Sequence, residues 1–252
     1  MCFDRDSLPP IPSISGAAVS HEDLVLEAQD GNRFAAFAAM PEEAVAKSVV
    51  ILPDVRGLYR FYEELALRFA EREITAVAID YFGRTAGVGK RGDDFPHMDH
   101  VAQTTPEGIQ ADVAAAVAWL RDGGARPVFT VGFCFGGRNS WLSAAGGHGL
   151  GGAIGFHGSL LDRNGWIGPL SRAAEMRAPI LALQAGDDQG ITADQNAAFD
   201  AALTAAGVEH EVVTYEGVPH SFFDRHYEQY AAACEDSWRR VLEFIERHSS
   251  KN

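Results

Sequence analysis

The sequence predicts a doubly wound α/β fold, built on a mostly parallel sheet with an antiparallel hairpin at its N-terminal edge. Three observations carry this expectation. Six short, largely apolar runs have the character of strands covered on both faces. Helical stripes separate most of them, and a turn signal stands before the first.

Taken in order, residues 1–20 are rich in Pro, Ser and Gly, and 8–15 reads as an extended lead-in lying over the surface, without chemistry of its own. Residues 24–28 and 33–40 flank Asp30, Gly31 and Asn32, a turn sequence suited to a hairpin. The apolar runs follow at 48–52, 74–79, 128–133, 153–156, 180–185 and 211–215. Between them, Tyr62, Leu65, Ala66 and Phe69 form one helical stripe, and Ile109, Val113, Ala116, Val117 and Leu120 another. Phe199, Ala202, Leu203 and Ala206 form a third. A last helix over 228–247 places Cys234, Trp238, Val241, Leu242 and Ile245 on one stripe, so Cys234 is expected in the core.

With 252 residues, 46% of them hydrophobic, the chain can bury one large core, and one domain over 1–252 is the expectation. A formal charge of −14 opposes a general nucleic-acid surface or binding to anionic membranes, both of which need clustered Lys and Arg. Cys2, Cys134 and Cys234 have neither disulfide-framework nor zinc spacing, which fits a reducing cytoplasm. No secretory or membrane-spanning run is read. Asp93, Asp94, His97, Asp99 and His100 cluster on a loop that reads as polar rim, so no metal site is expected. No dinucleotide fingerprint occurs, and no cofactor is expected. The oligomeric state is not legible.

In a doubly wound sheet, functional groups gather beyond the carboxyl ends of the strands. Asp54 follows the first parallel run, Asp80 and Tyr81 the second, Cys134 the third, His157 the fourth, Asp187 and Asp188 the fifth, and His220 the last. Gly132-Phe133-Cys134-Phe135-Gly136-Gly137 puts the cysteine at a sharp strand-to-helix turn that exposes a nucleophile. A thiol at a helix N-terminus is favoured as thiolate by the helix dipole. Cys134, then Asp187 or Asp188, then His220 follows the nucleophile, acid, histidine order of α/β-hydrolases. Chemistry alone does not separate the two aspartates.

At these motifs the chain resembles the dienelactone hydrolase family, thiol hydrolases of the α/β-hydrolase fold. The resemblance runs over about 22–247 and is carried by 49–57, 78–84, the 132–137 elbow, Gly186-Asp187-Asp188 and 215–222. It implies Cys134 as nucleophile, His220 as base and then acid, and Asp188 as the orienting carboxylate. It also implies an oxyanion hole from the backbone N–H groups of Val55 and Phe135. Where the family carries a thiol-activating glutamate this chain has the shorter Asp54, and where the family has an arginine after the histidine it has Asp224, with Arg225 beside it. Arg56, Tyr81, Arg84, His157 and Arg225 are candidate substrate contacts. The expected activity is hydrolysis of a small ester, lactone or related activated acyl compound. The competing expectation is a ligand-binding or sensing protein on the same fold.

Overall fold

The computed structural model describes residues 3–249 apart from 5, 44, 93 and 164. Cys2 and Asp93 therefore lie outside the described residues. Eight strands form one sheet in the order β1-β2-β4-β3-β5-β6-β7-β8. β1 (Val19–Glu27) and β2 (Arg33–Pro41) make the expected hairpin, with Glu27 opposite Arg33. β3 (Ser48–Leu52), β4 (Thr75–Ile79), β5 (Val128–Phe133), β6 (Gly152–Phe156), β7 (Ile180–Ala185) and β8 (His210–Tyr215) are mutually parallel. The hairpin joins them antiparallel, through β2 on β4.

Each parallel strand is a short apolar run because both of its faces are covered. On β3, Val49 and Ile51 face one cluster and Val50 and Leu52 the other, as period-2 alternation requires. α1 (Arg60–Ala70) and α7 (Ala231–Ser249) cover the first face. α1 buries Phe61, Tyr62, Leu65 and Phe69, each large side chain contributing about 2 kcal/mol. α4 (Pro106–Asp122), α5 (Phe135–Ser143) and α6 (Ala193–Ala205) cover the second face. α4 starts where Thr105 accepts the Gly108 N–H at 3.0 Å, with Pro106 preset for the first turn. The long segment 83–105 is not all loop: it carries α2 (Gly83–Ala86) and α3 (His97–Val101).

Two features of the fold position the site. After β3 the chain crosses to β4 on one side, and β5 then pairs β3 on the other, creating a switch point where crevices open at strand ends. There Leu52 is in register with Gly132, so the turns leaving β3 and β5 emerge side by side. At the far edge Ala185 is in register with Tyr215, which brings the turns after β7 and β8 together.

The lead-in departs from expectation. It is not merely draped over the surface: Phe3 is 1% exposed, Ser7 is fully buried and Ile11 nearly so. Cys234 sits in the core, as its helical stripe predicts.

Candidate active site

Cys134 occupies the junction of β5 and α5 with φ 54° and ψ −111°, a left-handed conformation that non-glycine residues rarely adopt. The neighbouring glycines explain how the strain is held. A Cβ on Gly132 would lie 2.0 Å from the Gly136 carbonyl oxygen, and one on Gly136 would lie 2.0 Å from that of Leu52. Backbone therefore packs on backbone at the elbow, and α5 starts against the end of β3. The Cys134 N–H donates to the Phe156 carbonyl at 2.9 Å, tying the elbow to β6, while the residue stays half-buried.

Phe135 opens α5, so its N–H has no intrahelical partner. Val55 leaves the β3 end beside it, and among the described residues no hydrogen bond engages its N–H. Both N–H groups thus stand at the switch point.

His220 and Asp188 meet across the ends of β7 and β8, with Nδ1 of His220 2.5 Å from Oδ2 of Asp188. The other carboxylate oxygen of Asp188 accepts the N–H groups of Gly190 at 2.8 Å and Ile191 at 3.2 Å. Burial pushes this carboxyl up, but the His220 bond and the two N–H groups outweigh it, leaving its pKa below the usual aspartate value. Asp187 is exposed, and its N–H donates to the Val218 carbonyl at 3.0 Å. Geometry thus separates two aspartates that chemistry could not.

Asp54 is fully buried in the turn after β3. One oxygen accepts the Arg56 N–H at 2.8 Å and the other the Tyr59 hydroxyl at 3.1 Å, while its own N–H donates to the Tyr62 hydroxyl at 2.8 Å. Burial raises its pKa, and the Arg56 N–H and charge and the two tyrosines only partly offset this. A carboxyl raised on folding adds stability below its unfolded value near ~3.9, and that contribution is lost as pH climbs through the folded value. Asp54→Asn keeps the acceptor for Arg56 and removes the buried charge. Its thermal midpoint at pH 8 is expected to exceed wild type by roughly 2–4 °C, the shift that about 1 kcal/mol produces at this size, and the gain should shrink towards pH 4. Thermal unfolding followed across that pH range checks this; a lower midpoint for the variant at pH 8 would contradict it.

The candidate substrate contacts divide sharply. Arg56 lines a cavity of about 170 Å³ with Tyr59, Arg60, Arg91, Phe95 and His97, and its Nη1 is buried without a hydrogen-bond partner. Tyr81 is 2% exposed and donates its hydroxyl to the Pro53 carbonyl at 2.8 Å, so it braces the β3 turn and offers little surface to a substrate. Burial, followed by the electrostatic influence of Asp54, Asp80 and Cys134, raises its pKa well above the ordinary tyrosine value and keeps it protonated. Two arginines correct the sequence expectation. Arg84 is committed to Asp112 at 2.5 Å and Asp30 at 2.6 Å, because Asp112 is buried and would otherwise be an uncompensated charge. Arg225 turns to the lead-in, donating its guanidinium to the Asp6 carbonyl at 3.1 Å and its N–H to the Leu8 carbonyl at 3.1 Å.

His157 is fully buried, its ring centroid 4.3 Å from that of His220, and among the described residues neither ring nitrogen has a side-chain hydrogen-bond partner. Its main-chain N–H donates to the Leu183 carbonyl at 2.9 Å. Burial first, then proximity to His220, lowers its pKa well below the usual histidine value, so it stays neutral. Asp80 is likewise structural: it accepts the Leu58 and Phe82 N–H groups and pairs with Arg91 at 2.7 Å. The tyrosines around Asp54 were missed because Tyr62 reads as one member of an apolar stripe. The signal available was their spacing, Tyr59 and Tyr62 standing one turn apart at the start of α1.

His100, from the polar loop cluster, contacts the Thr85 hydroxyl at 2.9 Å and stacks on Phe95 at 4.6 Å. Among the described residues no group of three or more His, Cys, Asp or Glu could hold a metal ion. No helix among them is long and apolar enough to cross a membrane.

The chain is similar to known proteins over most of its length. The model of the dienelactone hydrolase family matches residues 34–249. An Escherichia coli (strain K12) protein provisionally named carboxymethylenebutenolidase is 27% identical over 230 residues, covering 88% of this chain and 85% of that protein. The carboxymethylenebutenolidase of Pseudomonas putida is 26% identical over 241 residues, covering 91% of this chain and 98% of that one. A crystal structure from Klebsiella pneumoniae, described provisionally as a dienelactone hydrolase, superposes with a TM-score of 0.82 at 25% identity over 91% of this chain and 99% of that one. With the elbow, the strand order and a family match over most of its length in agreement, this chain belongs to the dienelactone hydrolase family.

Proposed function

We propose that this chain hydrolyses a small ester, lactone or related activated acyl compound through Cys134, His220 and Asp188, by way of a thioacyl-enzyme. The observation that carries the reading is the 2.5 Å pair of His220 and Asp188, on the same sheet edge as a half-exposed cysteine on a strained elbow. His220 takes the thiol proton, and the resulting imidazolium is stabilised by the Asp188 carboxylate. The sulfur attacks the acyl carbon, and the carbonyl electron pair moves onto oxygen, where the N–H groups of Val55 and Phe135 receive it, each worth about 3 kcal/mol. Collapse expels the alkoxide, which takes the proton from His220 and leaves a thioester. Water, deprotonated by the same imidazole, attacks that thioester and returns the sulfur as leaving group.

Arg56, next to Val55 in the chain, lines a cavity of about 170 Å³ and keeps a buried guanidinium nitrogen without a partner among the described residues. With Arg60, Arg91 and His97 on its walls, that cavity suits an anionic substituent on the substrate. Neither Cys134 nor Cys234 is in a disulfide, which suits a reducing compartment.

The test is direct. Rapid quenching in acid during turnover of short acyl esters, thioesters and lactones, followed by intact-mass measurement, is expected to show one added acyl group, mapped by digestion to Cys134. Turnover with no adduct at Cys134 would sink the thioacyl route. Absence of turnover on every class, with binding retained, would instead favour the ligand-sensing alternative.

A further inference from the structure

The segment before the family-matched region is built into the site. The match begins at residue 34, yet Phe3 is 1% exposed and stacks on Phe61 of α1 at 4.1 Å and 18°. Its ring edge meets Phe133 at 5.7 Å and His157 at 6.0 Å. His157 in turn lies 4.3 Å from His220. Among the described residues no side chain or backbone group of another residue is hydrogen-bonded to either ring nitrogen of His157, so aromatic packing bears on how that ring is set, and Phe3 supplies one wall beside Phe133, Phe156 and Phe222.

A second contact acts on the backbone that carries His220. Ser7, fully buried, donates its hydroxyl to the carboxylate of Asp224, which is only 3% exposed and lies four residues beyond His220. The His226 N–H donates to the same carboxylate at 3.1 Å, and the adjacent Arg225 is tied to Asp6 and Leu8. Between these residues Ser221 stands at φ 62°, a conformation that persists only where its surroundings hold it. Farther along, residues 8–13 line a cavity of about 570 Å³, with Ile11 held in the core beside it.

We infer that residues 3, 4 and 6–8 form a brace for the histidine loop, in which Phe3, through His157, and Ser7, through Asp224, are positioning residues for His220. Asp188 fixes the imidazole from one side. The brace fixes it from the other, holding both the flanking ring and the chain that delivers the side chain. The inference rests on the proposed role of His220 as the base of Cys134.

Phe3→Ala, Phe3→Leu, Ser7→Ala and Ser7→Thr, made in the full chain, test it with three readouts: ester turnover, thermal midpoint and the ring-nitrogen NMR signals of His220. Phe3→Ala is expected to lower kcat about tenfold while KM changes less than about threefold, because the base is misplaced while the rest of the site remains. Ser7→Ala should lower kcat severalfold, and Phe3→Leu and Ser7→Thr should recover most of each loss. The His220 ring signals of the alanine variants should broaden or shift, whatever the nucleophile proves to be. Lower midpoints with unchanged kcat and unchanged His220 signals at temperatures where the variants are folded would overturn the inference and leave a merely structural segment. Full turnover by Cys134→Ala would mark failure of the underlying mechanism instead, a result the NMR arm does not depend on.

Discussion

Cys134→Ala is expected to lower kcat/KM for any accepted ester by four to six orders of magnitude, roughly the loss seen when a nucleophile is removed from a cooperating triad. No other described group can take over. Cys234, the other described cysteine, is buried in the core, and burial pushes its pKa up to about 11, which keeps it protonated and unreactive at neutral pH. The variant should fold normally. Ala carries the same Cβ into the left-handed conformation at the elbow, so the strain is unchanged, and the half-exposed sulfur leaves no large cavity. Initial rates with a chromogenic short acyl ester, compared with thermal midpoints, separate lost chemistry from lost fold. Residual activity within about tenfold of wild type would refute Cys134 as nucleophile.

Asp188→Asn is expected to lower kcat by three to four orders of magnitude, roughly the cost known for removing the orienting carboxylate of a serine protease triad. The reason lies in how the two carboxylate oxygens are used. One accepts the Gly190 and Ile191 N–H groups, and an asparagine must keep its carbonyl there. Its amide NH2 then faces Nδ1 of His220, where the carboxylate oxygen stood at 2.5 Å. A donor at that position forces the tautomer whose proton sits on the other ring nitrogen, the one needed as base. Charge stabilisation of the imidazolium is lost as well. Asp187→Asn, at an exposed site whose side chain does not meet His220, should remain within about twofold of wild type. Steady-state rates of the two variants decide the matter, and equal losses would refute the assignment to Asp188. Stability adds a signed check: a carboxyl lowered on folding stabilises above its unfolded pKa and loses that contribution as pH falls through the folded value. The midpoint deficit of Asp188→Asn should therefore close as the medium is acidified below about pH 4.

Much of the architecture was legible because each parallel strand is a short apolar run and each covering helix a periodic stripe. β3, β5 and β7 carry the expected boundaries, and α1 buries the expected Tyr62, Leu65, Ala66 and Phe69. The lead-in was read less well, since Pro-rich extended chain has no periodicity to reveal that Phe3 and Ser7 point inward. For the candidate arginines, the limit was reach. Arg84 and Arg225 were candidates by position in the chain, but an arginine's reach lets distant carboxylates or carbonyls claim it, here Asp112 and Asp30 for one and Asp6 and Leu8 for the other.

What the sequence by itself determined is the list of strand ends and what stands on them: a cysteine between glycines, a carboxylate pair, a histidine, in an order that presupposes a parallel sheet. Those are properties of local pattern and chain order. Only the tertiary structure decided which groups meet. The register of β7 on β8 brings Asp188 to His220 and leaves Asp187 in solvent, the register of β3 on β5 sets the Val55 turn beside the elbow, and the folding back of the first residues puts Phe3 against His157. Each of these is a contact between segments far apart in the chain, fixed by packing that no local pattern encodes.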